Sequence, residues 1–328
     1  MKERLLVTEL WGLGDLAIAS EFLRLASQHY EVLLVAKPYA IELGKELWPD
    51  VRVIPFTAPW SRFQGKYQLH RWPWGELFSL RKALRDFRPD VAVSARWDPR
   101  DHVVLYLSGA RQRLGFARTG SQWLLTQALP KIDPDSPRTA QWRAVAKALS
   151  LPDPEQAQQR PIAAPKHAVI HSGAAQPVRV WPLSRYRELA DGLRERDWSV
   201  TLLCDQSQTA AWQDLDQAPV VPTSPGSLID NLKQGDIFIG NDSGPGHIAA
   251  ALGIPTFTIF GPQRPEWFLP HHPLAGWQEG KPCPHKPCFD YCRFAEPHCL
   301  LGNESDEVKA QLLAWLDGVE NPRSGTET

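Results

Sequence analysis

Short apolar runs alternate with amphipathic segments along this chain, and they do so in two separate series. The first series begins at 4–8 and the second at 168–171, after a stretch rich in Pro and Gln at 151–165. Such alternation is typical of βαβ units with a parallel sheet, and the intervening stretch is typical of a linker. The sequence therefore predicts an α/β protein of two doubly wound domains, over 1–155 and 156–328.

The predicted strands are short and apolar, whereas the predicted helices have apolar residues at helical spacing. Strands are predicted at 4–8, 31–36, 91–94, 168–171, 199–204, 236–240 and 255–260. Helices are predicted at 15–28, 77–87, 183–196, 244–252 and 306–316. Because open α/β sheets bind ligands beyond the carboxyl ends of their strands, functional side chains are expected in the loops that follow these strands.

The composition excludes several classes of protein. Hydrophobic residues make up 43% of the chain and charged residues 22%, which excludes a disordered or collagen-like protein. The formal net charge of −1 is not that of a nucleic-acid binder. Thr8 and Glu9 interrupt the first apolar run, and no apolar stretch approaches the roughly 18 residues of a membrane span. The sequence therefore predicts a cytoplasmic protein.

The loop at 12–17, which reads GLGDLA, has three interpretations. It satisfies the dinucleotide fingerprint G-x-G-x-x-G/A, as in an NAD(P)-dependent oxidoreductase. Against this, the second strand is followed by Lys37 rather than an acid, and Asp15 would repel a pyrophosphate. Asp15 could instead cap the following helix, or act as a general base kept ionised by the helix N-terminus. The residues of the loop alone leave all three open.

Two loops of the C-terminal half have the composition of a diphosphate site. In the first, at 171–182, the small residues Ser172 and Gly173 would expose N–H groups, and Arg179 supplies a fixed positive charge. The second, at 240–247, reads GNDSGPGH and opens an apolar helix whose N-terminus favours phosphate. Its candidate donor-binding residues are Asp242, Ser243, Gly244 and His247. An ordinary strand-to-helix turn is the alternative for each loop.

Together these motifs resemble glycosyltransferase family 9, which contains the ADP-heptose:lipopolysaccharide heptosyltransferases. The resemblance rests on HSGA at 171–174, RVWP at 179–182, DSGPGHIAAALG at 242–253 and FGP at 260–262, with the Gly14-Asp15 pair near the N-terminus. It implies a GT-B fold, in which two Rossmann-like domains face each other across a cleft. The N-terminal domain would bind the acceptor and the C-terminal domain the nucleotide-sugar donor.

The resemblance also implies roles for single residues. Asp15 would deprotonate the acceptor hydroxyl in an inverting transfer that needs no metal, and Arg179 would hold the donor phosphates. The donor is expected to be ADP-linked, the sugar heptose or similar, and the acceptor a lipopolysaccharide-core-like or other anionic glycan. A protein that keeps the fold and binds sugar nucleotides without turnover is the remaining alternative.

A basic stretch marks the predicted acceptor domain. Between 51 and 120 there are 13 Lys and Arg residues against 5 Asp and Glu. These charges suit an anionic glycolipid, and they also suit peripheral contact with the inner face of a membrane. The candidate acceptor-binding residues are Gly14, Arg62, Lys66, Arg71 and Arg113.

Four of the five cysteines lie close together in the sequence, at Cys283, Cys288, Cys292 and Cys299. The spacing C-x4-C-x3-C-x6-C, with histidines nearby, fits a structural zinc site, a group of reduced thiols or disulfides. The predicted cytoplasmic setting disfavours disulfides. The segment is therefore a candidate structural zinc site.

Overall fold

The computed structural model describes residues 2–61, 68–158, 160–162 and 164–320. The chain divides into two compact units, Met1–Glu155 and Gln156–Thr328. Each unit has its own parallel sheet and its own hydrophobic core. None of the described helices is long and apolar enough to cross a membrane.

The first unit is built on six parallel strands in the order β3-β2-β1-β4-β5-β6, which is the Rossmann order. The strands are β1 (Arg4–Glu9), β2 (Glu31–Ala36), β3 (Arg52–Pro55), β4 (Val91–Ser94), β5 (Gln112–Gly115) and β6 (Gln127–Ala128). The helices are α1 (Leu13–Ile18), α2 (Ser20–His29), α3 (Ala40–Leu47), α4 (Trp74–Phe87), α5 (Pro99–Ser108) and α6 (Thr139–Ala148).

The second unit has five parallel strands in the order β11-β10-β9-β7-β8. The strands are β7 (His167–His171), β8 (Ser199–Leu203), β9 (Ile237–Asn241), β10 (Thr256–Phe260) and β11 (Gly276–Glu279). The helices are α7 (Leu183–Arg194), α8 (Thr209–Gln213), α9 (Pro225–Lys233), α10 (Gly244–Ala251), α11 (Pro265–Phe268), α12 (His298–Leu301) and α13 (Ser305–Glu320).

The prediction of a single helix at 15–28 was wrong, because the structure has two helices there. Helix α1 begins earlier than predicted, since the Asp15 side chain accepts the N–H group of Gly12 and closes its first turn. Helix α2 then begins at Ser20. The break keeps α1 short and places Asp15 directly beyond β1.

Buried tryptophans anchor the second core and hold its loops. Trp181, Trp198 and Trp212 are each at most 2% exposed. The Trp181 indole packs edge-on against Tyr186, with the ring centroids 5.0 Å apart. Its N–H group donates to the carbonyl of Asn303 at 2.9 Å. Burial of a side chain this large contributes on the order of 2–3 kcal/mol, so the loop that carries Trp181 is firmly tied to the core.

Candidate active site

Each sheet has one topological switch point, which is the pair of neighbouring strands from which the chain continues toward opposite edges of the sheet. In the first unit it lies between β1 and β4, and in the second between β7 and β9. Loops that leave the carboxyl ends of two such strands diverge and leave a crevice where open α/β proteins bind ligands. Asp15 follows β1, and Arg179 and Asp242 follow β7 and β9. The candidate residues therefore lie at the crevices where ligands bind in open α/β folds.

Asp15 is held by two donors at the switch point of the first unit. Its Oδ2 accepts the N–H group of Gly12 at 3.0 Å, and its Oδ1 pairs with Nη2 of Arg96, which follows β4. Asp15 thus contributes to capping from the third position of α1, whereas the N-cap residue itself is Gly12. The side chain is still 26% exposed. Both donors favour the charged form of a carboxylate, and the exposure leaves it within reach of a substrate.

Arg96 is shared between Asp15 and a second carboxylate, that of Glu9. The Nε of Arg96 lies 3.6 Å from Oε1 of Glu9, whose side chain is only 1% exposed. Burial raises the pKa of Glu9 to about 7, and nearby Asp15 and Asp101 add to the rise while Arg96 opposes it. The Arg96 guanidinium also lies over the Trp11 ring, 5.7 Å from its centroid. One cation thus serves two carboxylates.

A third carboxylate, Asp101, completes the buried side of this site. It is fully buried and accepts the indole N–H groups of Trp11 at 3.1 Å and Trp60 at 2.9 Å. Burial raises the pKa of Asp101 to about 6, against the effect of those two bonds. The Tyr39 hydroxyl donates to the carbonyl of Trp11 at 3.0 Å. Asp101 and Tyr39 therefore fix Trp11, the ring against which Arg96 packs.

The candidate acceptor residues lie in different surroundings. Gly14 lies in α1 beside Asp15, and Arg71 is exposed in the short 3-10 helix Leu69–Arg71. Arg113 donates to the carbonyls of Leu124 at 2.9 Å and Ala110 at 2.7 Å, so it holds a turn of the fold. The other two candidates, Arg62 and Lys66, lie outside the described residues. The acceptor role of all five stays a prediction.

Arg179 of the second unit is clamped by two carboxylates. Its Nε and Nη2 each bond one oxygen of Asp290 at 2.7 Å, and its Nη1 bonds Oδ2 of Asp242 at 3.0 Å. The side chain of Asp290 is 17% exposed, whereas that of Asp242 is 3% exposed. The fixed positive charge predicted at Arg179 is present, but its fork already holds a carboxylate. A diphosphate would have to displace Asp290 in order to take the same position.

The exposed N–H groups expected at Ser172 and Gly173 were wrong, because both groups are bonded within the chain, whereas the donor-binding role of the two residues stays a prediction. The N–H group of Ser172 donates to the carbonyl of Leu203 at 3.0 Å, and that of Gly173 donates to Nδ1 of His171 at 3.1 Å. Gly173 has a different reason to be glycine. A Cβ atom there would lie 2.3 Å from Oδ2 of Asp205, so the carboxylate occupies the space of a side chain.

The loop after β9 is tied to the loop after β7 by a buried amide. Asn241 accepts the backbone N–H group of Trp181 at 3.0 Å and donates to the carbonyl of Ser172 at 2.7 Å. Two residues after Asn241, Ser243 precedes Gly244, the first residue of α10. The Oγ of Ser243 is buried and has no hydrogen-bond partner in the described part of the chain. His247 lies in the first turn of α10 and is 7% exposed. The N-terminus of α10 is thus rigidly placed at the switch point.

The four clustered cysteines line one pocket together with His285 and His298. All are free thiols, and burial raises the pKa of the Cys299 thiol to about 11. Among the described residues, however, no group of three or more His, Cys, Asp or Glu side chains is arranged to hold a metal ion. The segment brings the thiols to one place without assembling a coordination shell.

Sequence reasoning missed the residues that pair with the candidates. Glu9 gave a signal, since it is a charged residue at the end of an otherwise apolar strand. Arg96 follows a predicted strand, but nothing in the sequence distinguishes it from the other Lys and Arg residues of the basic stretch. Asp290 gave no signal, because it lies among the cysteines and meets Arg179 across 111 residues of sequence. Such pairings depend on which strands are neighbours in the sheet.

The model for glycosyltransferase family 9 (heptosyltransferase) matches residues 78–298 of this chain. Lipopolysaccharide heptosyltransferase 1 of Pseudomonas aeruginosa is 33% identical over 184 residues, which are 49% of this chain and 50% of that protein. The chain thus spans about half the length of this curated relative.

Two solved structures share the fold over nearly the whole chain. The E. coli ADP-heptose lps heptosyltransferase II is 19% identical, with a TM-score of 0.71 over 97% of this chain and 99% of its own. E. coli heptosyltransferase WaaC with ADP is 17% identical, with a TM-score of 0.71 over 95% of this chain and 99% of its own. The predicted GT-B fold, with two Rossmann-like domains, is confirmed.

Proposed function

Because the chain belongs to glycosyltransferase family 9, we propose that it is an inverting glycosyltransferase that moves heptose, or a similar sugar, from an ADP-linked donor to an anionic glycan. The observation that carries the proposal is the Asp15 carboxylate at the switch point of the first unit. It is paired with Arg96, bonded by the N–H group of Gly12, and still 26% exposed. A general base needs this combination of charge and access.

In the proposed reaction the acceptor hydroxyl oxygen forms a bond to the anomeric carbon of the donor sugar. The bond between that carbon and the diphosphate oxygen breaks, and its electron pair leaves with ADP. The hydroxyl proton passes to Asp15 and from there to solvent. Attack from the face opposite the leaving group inverts the anomeric centre.

For the donor, we propose that the second unit binds the diphosphate between the loops after β7 and β9. The N-terminus of α10 has N–H groups at Gly244, Gly246 and His247, because Pro245 has none, and a helix N-terminus favours negative charge. Arg179 supplies a guanidinium fork, and the buried Ser243 hydroxyl has no internal acceptor among the described residues. The chain shares its fold with the E. coli ADP-heptose lps heptosyltransferase II and is similar in sequence to lipopolysaccharide heptosyltransferase 1 of Pseudomonas aeruginosa, which supports an adenine nucleotide and such an acceptor here.

The family match favours this function over an oxidoreductase. A dinucleotide would place its pyrophosphate on the loop at 12–17, but the Asp15 carboxylate accepts the Gly12 N–H group there. A sugar-nucleotide binding protein without turnover is distinguished by activity alone, because it would bind ADP equally well.

For the acceptor side, we propose peripheral contact with an anionic membrane through one face of α4. Trp74 and Phe78 are exposed by 48% and 67% and lie one turn apart. Arg81 and Lys82 continue the same face and are exposed. Aromatic and basic residues on one helix face bind the headgroup region of anionic bilayers. Co-sedimentation with vesicles of phosphatidylglycerol and phosphatidylethanolamine tests this, and W74A/F78A is expected to lower the bound fraction.

We propose that transfer requires no divalent cation, because Arg179 and the α10 N-terminus can neutralise the departing diphosphate. Activity is then expected to survive dialysis against EDTA. Zinc at the cysteine segment stays a prediction, to be tested by elemental analysis of the purified protein. A stoichiometric metal would require the thiols to move closer together than they lie in the structure.

The decisive experiment compares wild type with D15N in two assays. With ADP-heptose and a truncated lipopolysaccharide core as substrates, D15N is expected to lose at least a hundredfold in kcat, in the range that general bases contribute. Calorimetry is expected to give the same ADP affinity within twofold, because ADP binds the other unit. D86N, on the exposed side of α4, is the matched control and should retain full activity. Retained transfer by D15N would refute the base assignment. ADP binding without any transfer by wild type would favour the binding protein.

A further inference from the structure

We propose that Arg96 and Glu9 are a positioning pair for Asp15. In this pair, Arg96 fixes the carboxylate and Glu9 balances the charge of Arg96, so that Asp15 can still accept a proton. The inference rests on the proposed function, in which Asp15 is the base. It concerns three side chains at the switch point of the first unit, from the end of β1, from α1 and from the loop after β4.

The positioning step follows from how completely Arg96 is itself fixed. Its backbone N–H group donates to Oγ of Ser94 at 3.2 Å, and its carbonyl lies 3.1 Å from Nε2 of His102. Its guanidinium packs over Trp11 and pairs with Oδ1 of Asp15. Since the Gly12 N–H group holds the other oxygen, the plane of the Asp15 carboxylate is set from both sides. Precise orientation of a base accelerates proton transfer because no rotation has to be frozen in the transition state.

The charge of Glu9 counteracts the lowering of the Asp15 pKa that Arg96 causes. An arginine paired with a carboxylate lowers its pKa by about 1–3 units and so makes it a weaker base. Glu9 offsets this effect, because its Oε1 lies 3.6 Å from Arg96 in a buried position where charges interact strongly. When Asp15 takes the proton, Arg96 still has a carboxylate partner. The protonated state of Asp15 therefore leaves Arg96 with a carboxylate partner.

The surroundings of Glu9 suit this role. The ionisable groups that face it are Arg96, Asp15, Asp101, Lys37 and Tyr39, and Asp15 and Arg96 also face Arg138. Burial and the two aspartates raise the pKa of Glu9 to about 7, and Arg96 opposes them. Protonation of Asp15 removes one of these like charges, so ionisation of Glu9 becomes more favourable. Two carboxylates coupled in this way titrate as a pair.

Two substitutions should separate the roles of Arg96 and Glu9. The pKa of Glu9 is raised to about 7, so Glu9 is protonated where Asp15 titrates, and E9Q should leave the acidic limb of the kcat–pH profile in place. Above that pH the charge of Glu9 makes Asp15 a stronger base, so E9Q should lower the plateau kcat by about three- to tenfold. In R96Q the cation is lost, so the limb should shift about one unit higher. The KM for ADP-heptose should stay within twofold in both, and E31Q, at the exposed opposite end of the sheet, should match wild type.

A direct titration separates this inference from the proposed function. The protein is labelled with 13C in Asp and Glu carboxyl groups, and the Asp15 signal is assigned from its loss in D15N. R96Q should raise the pKa of that signal and E9Q should leave it in place, whereas D15N should lower the pKa of the Glu9 signal. R96K keeps the charge but not the planar fork, so it should leave the acidic limb of the kcat–pH profile in place and lower kcat. If R96Q does not fold, R96K is the variant that still tests the role of Arg96. An unchanged Asp15 pKa in R96Q, or an unchanged Glu9 pKa in D15N, would overturn the positioning pair alone when D15N is inactive. Wild type without transfer would overturn both.

Discussion

Replacing Asp290 by Asn should tighten ADP binding, although Asp290 touches no proposed ligand. The reason is competition for the fork of Arg179. Both Nε and Nη2 of this arginine bond Asp290 at 2.7 Å, in the position that a phosphate of the donor would take. Asp290 has a φ of 69°, a left-handed conformation that Asn tolerates better than other residues. The substitution thus removes the charge and keeps the backbone.

The magnitude follows from the geometry of the pair. Hydrogen bonds to a charged group contribute about 1.5–3 kcal/mol each when buried. The side chains are 22% and 17% exposed, and Asp242 still holds Arg179, so we discount the sum to about 1–1.5 kcal/mol. This energy opposes ADP binding in the wild type. Its removal should lower the Kd for ADP about tenfold, since 1.4 kcal/mol is one order of magnitude.

Isothermal titration calorimetry with ADP provides the measurement. D317N removes a carboxylate from an exposed pair with Arg196 in the same unit and should leave the Kd unchanged. In an R179A background, D290N should have no effect, because the contested fork is gone. A Kd for D290N equal to or weaker than that of wild type would refute the competition, and a weaker one would mean that Asp290 orients Arg179 for its ligand.

Three further predictions concern stability. G173A should destabilise the protein by less than about 1 kcal/mol in urea unfolding, because the added methyl group meets only the carboxylate of Asp205, which is 47% exposed and can rotate away, and the G173A/D205A double variant should match D205A. Between pH 4.5 and 7 the native state binds more protons than the unfolded chain at Glu9, whose pKa is raised, so stability should fall by about 2–3 kcal/mol over that range. E9Q should flatten this slope, and an unchanged slope would refute the assignment. W60F removes one of two donors to the buried Asp101 and should cost about 1–2 kcal/mol, most at alkaline pH where that carboxylate is charged; equal losses at pH 5 and pH 8 would contradict this.

Most of the inner strands could be predicted from the sequence because both of their faces are buried. Strands β2 and β4 were predicted with the bounds that the structure has, as continuous apolar runs with five and four buried residues. The outer strands β3, β6 and β11 were missed, and so was the inner strand β5. All four carry exposed or half-exposed residues, and β6 has only two residues, so no apolar run marks them.

The site could be predicted in position but not in its pairings. The glycine loop and strand-end rules located Asp15 and the loop after β9 without knowledge of the sheet order. They could not supply Arg96 as the partner of Asp15, because that contact requires β1 and β4 to be neighbours. The exposed cradle at Ser172 and Gly173 was wrong for a related reason. Its N–H groups are taken by Leu203 and His171, and composition alone cannot reveal such local acceptors.

The two switch points carry the same motif, an arginine shared by two carboxylates, and its consequences differ with exposure. In the first unit the more exposed carboxylate, Asp15, is the proposed reactive group, and the arginine and the buried Glu9 adjust its basicity. In the second unit the arginine is the proposed ligand-binding group, so the more exposed carboxylate, Asp290, competes with the ligand. An amide in place of the buried carboxylate Glu9 should therefore change the pH dependence of the chemical step. An amide in place of the exposed carboxylate Asp290 should instead change affinity.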